Sequence, residues 1–193
     1  MTTNVADRTL RMLKESGALM EGHFVLTSGR HSGQYCQCMR TLERPELAEE
    51  LGRMIAGLFE DDRVDVVVAP ALGGIIIGYE VARALGVRSI FAERRGGAME
   101  LRRGFTLSPG ERALVVEDVV TTGGSVKEVA TLVREAGAEV VGFGFIVDRS
   151  GGEAELGGPA RALYSTSIES FEPDDCPLCA AGGARAVKPG SRR

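Results

Sequence analysis

One stretch restricts what this chain can fold into more than any other: Ala113-Leu114-Val115-Val116-Glu117-Asp118-Val119-Val120-Thr121-Thr122-Gly123-Gly124-Ser125. Ala113 to Glu117 is a short run dense in apolar residues, the mark of a strand buried on both faces. Thr122 to Ala136 reads as a helix, with Gly137 as its stop. Only a short glycine-bearing turn separates the two. Another apolar run, Glu139 to Val147, follows the helix and reads as a neighbouring strand. Strand, helix and strand in that order make a βαβ unit, whose strands run parallel.

The same alternation recurs upstream. Val64 to Ala69 is a strand ending at Pro70, Gly73 to Leu85 a helix stopped by Gly86, and Arg88 to Ala92 a further strand. Before them, Ala6 to Ser16 reads as a helix with Leu10 and Leu13 on one face. His23 to Tyr35 reads as two short β pieces around Thr27-Ser28-Gly29-Arg30. Pro45 opens a helix in which Leu47, Leu51, Ile55 and Leu58 repeat at helical spacing. Gly96 to Phe105 reads as an exposed hairpin or loop, Arg161 to Ser165 as a last strand, and the tail after Phe171, with Gly182-Gly183, Lys188, Pro189 and Gly190, as irregular. The expected architecture is α/β, a mostly parallel twisted sheet flanked by helices. In such sheets ligands sit beyond the C-terminal ends of the strands. Chemistry is therefore expected after Ala69, Ala92, Glu117 and Val147.

Composition removes several function classes. The 193 residues are enough for one ordinary domain, here expected over residues 1–193. A net charge of -4 with no long basic run before the last few residues argues against nucleic acid as a partner. With no tryptophan and 5% aromatics, a stacking platform for single strands is also disfavoured. The N-terminus lacks an apolar run, and the longest apolar stretch, Gly73 to Tyr79, is too short to cross a bilayer. The expectation is a cytoplasmic protein without membrane contact.

The chemistry of the 113–125 segment follows from its parts. N–H groups left free at a helix N-terminus hold an anion, and the helix dipole favours it. Gly123 and Gly124 allow close backbone approach, while Thr121, Thr122 and Ser125 add hydroxyl donors. No lysine stands in the turn, so it is not the loop of P-loop nucleotidases. Glu117 and Asp118 would repel the anion, and sugar hydroxyls are their natural partners. A ligand carrying both ribose and phosphate satisfies the whole segment, Glu117 to Ser125.

The segment resembles the phosphoribosyl pyrophosphate (PRPP) signature of type I phosphoribosyltransferases. The resemblance implies that Glu117 and Asp118 hold the ribose hydroxyls, and that Val119, Val120, Thr121, Thr122, Gly123, Gly124 and Ser125 complete the PRPP site. Three further stretches resemble orotate phosphoribosyltransferases in particular. His23-Phe24-Val25-Leu26-Thr27-Ser28-Gly29-Arg30-His31-Ser32, followed by Tyr35, is similar to the segment that covers the base. Pro70 to Glu80 resembles the pyrophosphate loop, with Ala71, Leu72, Gly73 and Gly74 at its turn. Val147-Asp148-Arg149 places an arginine beyond a strand, and an arginine binds a carboxylate in a planar fork. Arg149 is the candidate for the carboxylate of orotate, with Thr121 and Tyr35 as the other base contacts.

The resemblance implies a hood at about residues 20–40 and 150–193 over a core at about 45–150. It implies transfer of the phosphoribosyl group of PRPP to orotate, giving orotidine 5′-phosphate and pyrophosphate in pyrimidine biosynthesis. It also implies magnesium, carried mainly by the substrate with no dedicated protein ligand, and a homodimer. The chain departs from better-known members in the loop at Glu93 to Gly104. That loop offers Arg94, Arg95, Arg102 and Arg103 where lysines and a histidine are usual, so Arg94 joins Glu117 and Asp118 as a catalytic candidate. Leu72 and Gly73 stand where the pyrophosphate loop carries a lysine, and Thr27 where many members carry another. Transfer to a different base and PRPP sensing without catalysis remain as alternatives.

Cys176-Pro177-Leu178-Cys179 has the spacing of half a metal site, and Cys36 and Cys38 are candidates to complete four thiolates around zinc. Unliganded or redox-active thiols are the simpler expectation. His31 reads equally well as a surface or capping residue.

Overall fold

The computed structural model describes residues 4–26, 28–182 and 185–189. Thr27 of the expected turn, and Gly183 and Gly190 of the tail, lie outside the described residues. The chain runs α1 (Val5–Glu15), β1 (Leu19–Val25), β2 (His31–Cys36), α2 (Met39–Leu42), α3 (Pro45–Gly57), β3 (Val66–Pro70), α4 (Gly73–Leu85), β4 (Arg88–Arg95), β5 (Ala98–Leu101), β6 (Arg112–Val120), α5 (Gly124–Glu135), β7 (Glu139–Asp148), β8 (Ala160–Ser165), a 3-10 turn (Pro173–Asp175) and α6 (Pro177–Ala180).

Six strands form the main sheet in the order β5-β4-β3-β6-β7-β8. Every pairing in it is parallel except the edge pair β4–β5. The residues of β3 and most of β6 are fully buried because both faces are covered. Alternate side chains supply the two cores. Val67, Leu114 and Val116 meet Leu13 of α1, Leu51 and Ile55 of α3, and Ile77 and Val81 of α4. Val66, Val68 and Val115 meet Val126, Val129 and Val133 of α5 on the opposite face. Each such fully buried side chain is worth about 1.5–3 kcal/mol, and this burial fixes the register of the central strands.

The order of strands creates a switch point. From β3 the chain crosses to β4 on one side, whereas β6, β7 and β8 add on the other. The connections after β3 and β6 therefore diverge, opening a crevice at the strand ends where ligands bind in open α/β sheets.

A second, two-stranded sheet is the antiparallel hairpin β1–β2. The tail closes on it. His31 and Phe171 exchange backbone hydrogen bonds of 2.8 Å each, and Val187 bonds to Val25 and His23 at 2.9 Å each. The tail therefore departs from the irregular expectation, with a short helix and two bridges to the hairpin. Such single bridges carry no local periodicity, and a four-residue helix is too short to show one. The short helix α2 also lies outside the sequence expectation.

Candidate active site

The long strand β6 sets the site. The sequence places its end at Glu117, but the strand continues to Val120. The reason is its partner: Val119 pairs with Val147 and Val120 with Asp148, so β7 keeps the ladder going. Glu117 and Asp118 thus sit on a strand buried on both sides, rather than in a solvated turn. The helix likewise starts at Gly124, two residues later than expected, because Thr121 and Thr122 form the turn.

Gly123 caps α5 with φ 76°, a left-handed conformation that favours glycine. A Cβ there would lie 2.4 Å from Leu156 Cδ2, so the position also excludes a side chain on steric grounds. No side chain caps the helix. The first-turn N–H groups stay open to an anion beside the exposed hydroxyl residues Thr121 and Thr122.

Across the switch point, the turn after β3 carries the expected pyrophosphate loop. Its Ala71–Leu72 peptide is cis. The Ala71 N–H donates to the Ala92 carbonyl at 2.7 Å. A Cβ on Gly73 would lie 2.8 Å from Asp118 Oδ1, and one on Gly74 would lie 2.9 Å from the Val116 carbonyl oxygen. The loop therefore rests directly on the acidic end of β6, and only glycine permits it. Leu72 projects outward and is 79% exposed.

The two acids are half-buried. Among the described residues neither forms an ion pair. Desolvation, helped by the neighbouring Asp118 charge, pushes the Glu117 carboxyl up from 4.5 to about 8. Burial also raises Asp118, partly offset by the Val119 N–H that donates to its Oδ1 at 2.9 Å. Half-buried carboxyls held in this way call for hydroxyl donors or a cation from a ligand.

Arg149 follows the end of β7. Its backbone N–H donates to the Val120 carbonyl at 2.9 Å, which ties it to the strand that leads into the glycine turn. Its Nε is buried and has no hydrogen-bond partner among the described residues. Arg149 and Asp118 both act electrostatically on the Cys36 and Cys38 thiols at the end of β2, so hairpin, acids and arginine share one neighbourhood. Within the thiol pair, 3.6 Å apart, the hydrogen bond between them lowers Cys36 and raises Cys38, and burial raises both. The adjacent Asp148 is already satisfied. It accepts from Ser150 N–H at 2.7 Å, Ser150 Oγ at 2.6 Å and Gly152 N–H at 2.9 Å, and so shapes the turn that presents Arg149.

Tyr35 and the loop arginines have partners of their own. Tyr35 packs on Phe24 with ring centroids 5.8 Å apart, while its neighbour Cys36 is the residue within reach of Arg149. Arg94 donates to Glu128 of α5 at 2.7 Å and to the Gly97 carbonyl at 2.5 Å, and Arg102 and Arg103 both pair with Glu93. The arginine segment is thus the β4–β5 hairpin, turned by Gly96 and Gly97 at positive φ, with three of its four cations engaged locally.

Sequence reading missed Lys127. It lines a cavity of about 350 Å³ with Thr121, Thr122 and Ser150. Its Cε reaches within 3.7 Å of the point where a Gly123 Cβ would stand. Helical side chains lean toward the N-terminus, so a lysine three residues after Gly124 returns over the turn. That spacing is the signal that could have found it. A larger cavity, about 580 Å³, lies between the hairpin and the tail, but its lining includes Glu21 and Glu169 and no cation. It is a poor match for a phosphate or a carboxylate ligand.

Comparison with known proteins agrees with this geometry. The phosphoribosyl transferase domain family matches residues 40–172. The orotate phosphoribosyltransferase of Pelotomaculum thermopropionicum is 54% identical over 187 residues, covering 97% of this chain and 98% of that protein. Among solved structures, the Mycobacterium tuberculosis orotate phosphoribosyltransferase in complex with inorganic phosphate is similar at a TM-score of 0.68 and 25% identity, covering 83% of this chain and 95% of that one. The orotate phosphoribosyltransferase of Aeropyrum pernix matches at a TM-score of 0.68 and 27% identity, covering 80% and 92%. The chain shares the fold of these structures, and it belongs to the phosphoribosyltransferase family, among the orotate phosphoribosyltransferases.

Proposed function

We infer that the chain transfers the phosphoribosyl group of PRPP to orotate, giving orotidine 5′-phosphate and pyrophosphate. The observation that carries this is the pairing of two half-buried carboxyls without an ion-pair partner among the described residues, Glu117 and Asp118, with a buried arginine nitrogen, Arg149 Nε, that no described group satisfies. The carboxyls suit a ribose diol. The guanidinium suits the carboxylate that distinguishes orotate from uracil.

In this reading the turn Thr121–Ser125 and the open end of α5 hold the 5′-phosphate, with Lys127 adding charge. Glu117 and Asp118 accept hydrogen bonds from the ribose hydroxyls and fix the anomeric carbon. The backbone at Ala71, Leu72, Gly73 and Gly74 receives the pyrophosphate. Arg149, Thr121 and Tyr35 orient orotate so that N1 bonds to the anomeric carbon as the bond from that carbon to the pyrophosphate oxygen breaks, and the N1 proton passes to solvent. The transition state has oxocarbenium character, as in glycoside chemistry. Its positive charge is stabilised by the carboxylates beneath it. Arg94, released from Glu128, neutralises the leaving group. An arginine supplies charge there but not a proton.

Magnesium fits the same residues. Glu117 and Asp118, half-buried with no ion-pair partner among the described residues, would face the PRPP–metal complex, and the ion would supply positive charge to the leaving pyrophosphate. We extend the reading to a single catalytic domain with a hairpin-and-tail hood, acting as a homodimer in the cytoplasm. Among the described residues no helix is long and apolar enough to cross a membrane.

The test is consumption of orotate, followed by ultraviolet absorbance with magnesium and PRPP, against uracil, hypoxanthine and adenine. Loss of orotate alone supports the assignment. Turnover of another base would keep the PRPP site and remove the role of Arg149, and PRPP binding without turnover would favour a sensor.

A further inference from the structure

The fold brings together four residues that are scattered along the sequence and unused by the reaction. His23 comes from β1, His31 from β2, and Cys176 and Cys179 from the turn that opens α6. One donor atom of each lies within 4.8 Å of all the others. His23 Nε2 and His31 Nδ1 are 3.0 Å apart. Cys176 Sγ lies 3.6 Å from His23 Nε2, and Cys179 Sγ lies 3.7 Å from His23 Nε2 and 3.3 Å from His31 Nδ1. Zinc bonds of about 2.3 Å to sulfur and about 2.0–2.1 Å to nitrogen, arranged tetrahedrally, require nitrogen–sulfur separations of about 3.6 Å and a nitrogen–nitrogen separation of about 3.3 Å. The observed separations lie within a few tenths of an ångström of those values.

The two imidazole planes are 71° apart, so the rings do not stack and their nitrogens face one point. Cys176 is buried, both histidines are half-buried and Cys179 reaches the surface. A cavity of about 460 Å³ lined by His23, His31 and Cys179 gives an ion a way in. We propose that His23, His31, Cys176 and Cys179 bind one zinc ion, which clamps the C-terminal tail to the β1–β2 hairpin.

Thiolate and imidazole donors select zinc and reject magnesium, so this site is separate in kind from the metal of the reaction. Binding releases one proton from each thiol to solvent, and the two thiolates then balance the divalent charge. All four tetrahedral positions are filled by protein, which makes the site structural. The other cysteine pair does not take part. Cys36 and Cys38 face the core beside Arg149, so the partners of the Cys-x-x-Cys are histidines rather than the thiolates the sequence offered. The clamp reinforces the bridges His31–Phe171 and Phe24–Val187 and the bonds from Arg30 to Ser170 and Glu172 and from Ser32 to the Glu169 carbonyl.

Metal content tests this without any assay of turnover, so its failure and the failure of the orotate reading are distinguishable. Untagged full-length protein is loaded with zinc chloride under reducing conditions and desalted into magnesium buffer. The expected result is one zinc per chain. Cobalt chloride in its place should give the strong visible bands of a tetrahedral ion with thiolate-to-cobalt charge transfer. Cys179→Ser should lose the zinc and weaken the charge transfer, whereas Cys36→Ser should keep both. Because the wild-type cobalt spectrum needs no substitution, poor folding of one variant does not blunt the test. Zinc far below stoichiometry in folded wild-type protein, a weak octahedral cobalt spectrum, or zinc loss in Cys36→Ser with retention in Cys179→Ser would each overturn the proposal.

Discussion

The end of β6 and the β4–β5 hairpin are both rich in charge, and they treat it in opposite ways. On the hairpin the charges are exposed and paired: Arg94 with Glu128, Arg102 and Arg103 with Glu93. The hydrogen bond from Arg103 holds the Glu93 carboxyl below its ordinary value. At the end of β6, Glu117 and Asp118 are half-buried and, among the described residues, form no ion pair, and desolvation drives both upward. Self-satisfied surface pairs cost little and contribute little. A buried carboxyl without a partner is costly unless a ligand completes it. On the proposed reading the acids need substrate to satisfy them, whereas the hairpin cations are satisfied without it and Arg94 must first leave Glu128.

The largest effect should come from breaking the unsatisfied side. Asp118→Asn keeps the shape but halves the accepting capacity toward hydroxyls, and kcat in the orotate assay should fall about 10²-fold or more. Near wild-type turnover would remove the carboxylate from the mechanism. Arg149→Ala comes next. A hydrogen bond to a charged group contributes about 1.5–3 kcal/mol, which corresponds to a loss of about 10- to 100-fold in kcat/KM for orotate. Binding of PRPP, measured calorimetrically in the same variant, should be little changed. A loss confined to PRPP would move Arg149 to the phosphate end.

A smaller effect concerns pH. Glu117 titrates near 4.5 when unfolded and at about 8 in the ligand-free fold. A raised pKa means the native state holds the proton more tightly. The resulting stabilisation is complete below the lower value and is lost as pH rises through the upper one. Ligand-free wild-type protein should therefore lose melting temperature across that window, and Glu117→Gln should flatten the decline. An equal slope in both proteins would mean that Glu117 is solvated. The smallest effect is expected for the melting temperature of Arg94→Ala, because its pair with Glu128 is exposed and screened. Turnover of that variant sharpens the contrast. A fall would show that Arg94 leaves Glu128 during the reaction, and no change would confine it to the hairpin.

The site was partly legible in sequence because its backbone chemistry is local. Gly123, Gly124 and the hydroxyl residues beside them are contiguous, and their order alone announces a strand, an anion turn and a helix. Gly73 was legible as a loop residue but not as the floor on which Asp118 rests, since that contact joins positions 45 residues apart in the numbering. Lys127 went unread because its relevance depends on the direction of a helical side chain, and the engagement of Arg94 because Glu128 lies on another element.

The sequence by itself determined the α/β alternation, the helix from Gly73 to Leu85 with its stop at Gly86, and the segment that carries the acids and the glycine turn. Apolar periodicity and glycine conformation act over a few residues, so a linear reading captures them. Only the tertiary structure decided that β6 runs on to Val120, that the acids are half-buried with no ion-pair partner among the described residues, and that two histidines of the hairpin meet two cysteines of the tail. Each of those depends on which strand pairs with which and on what covers it, and burial and long-range pairing are properties of the assembled sheet rather than of any local run of residues.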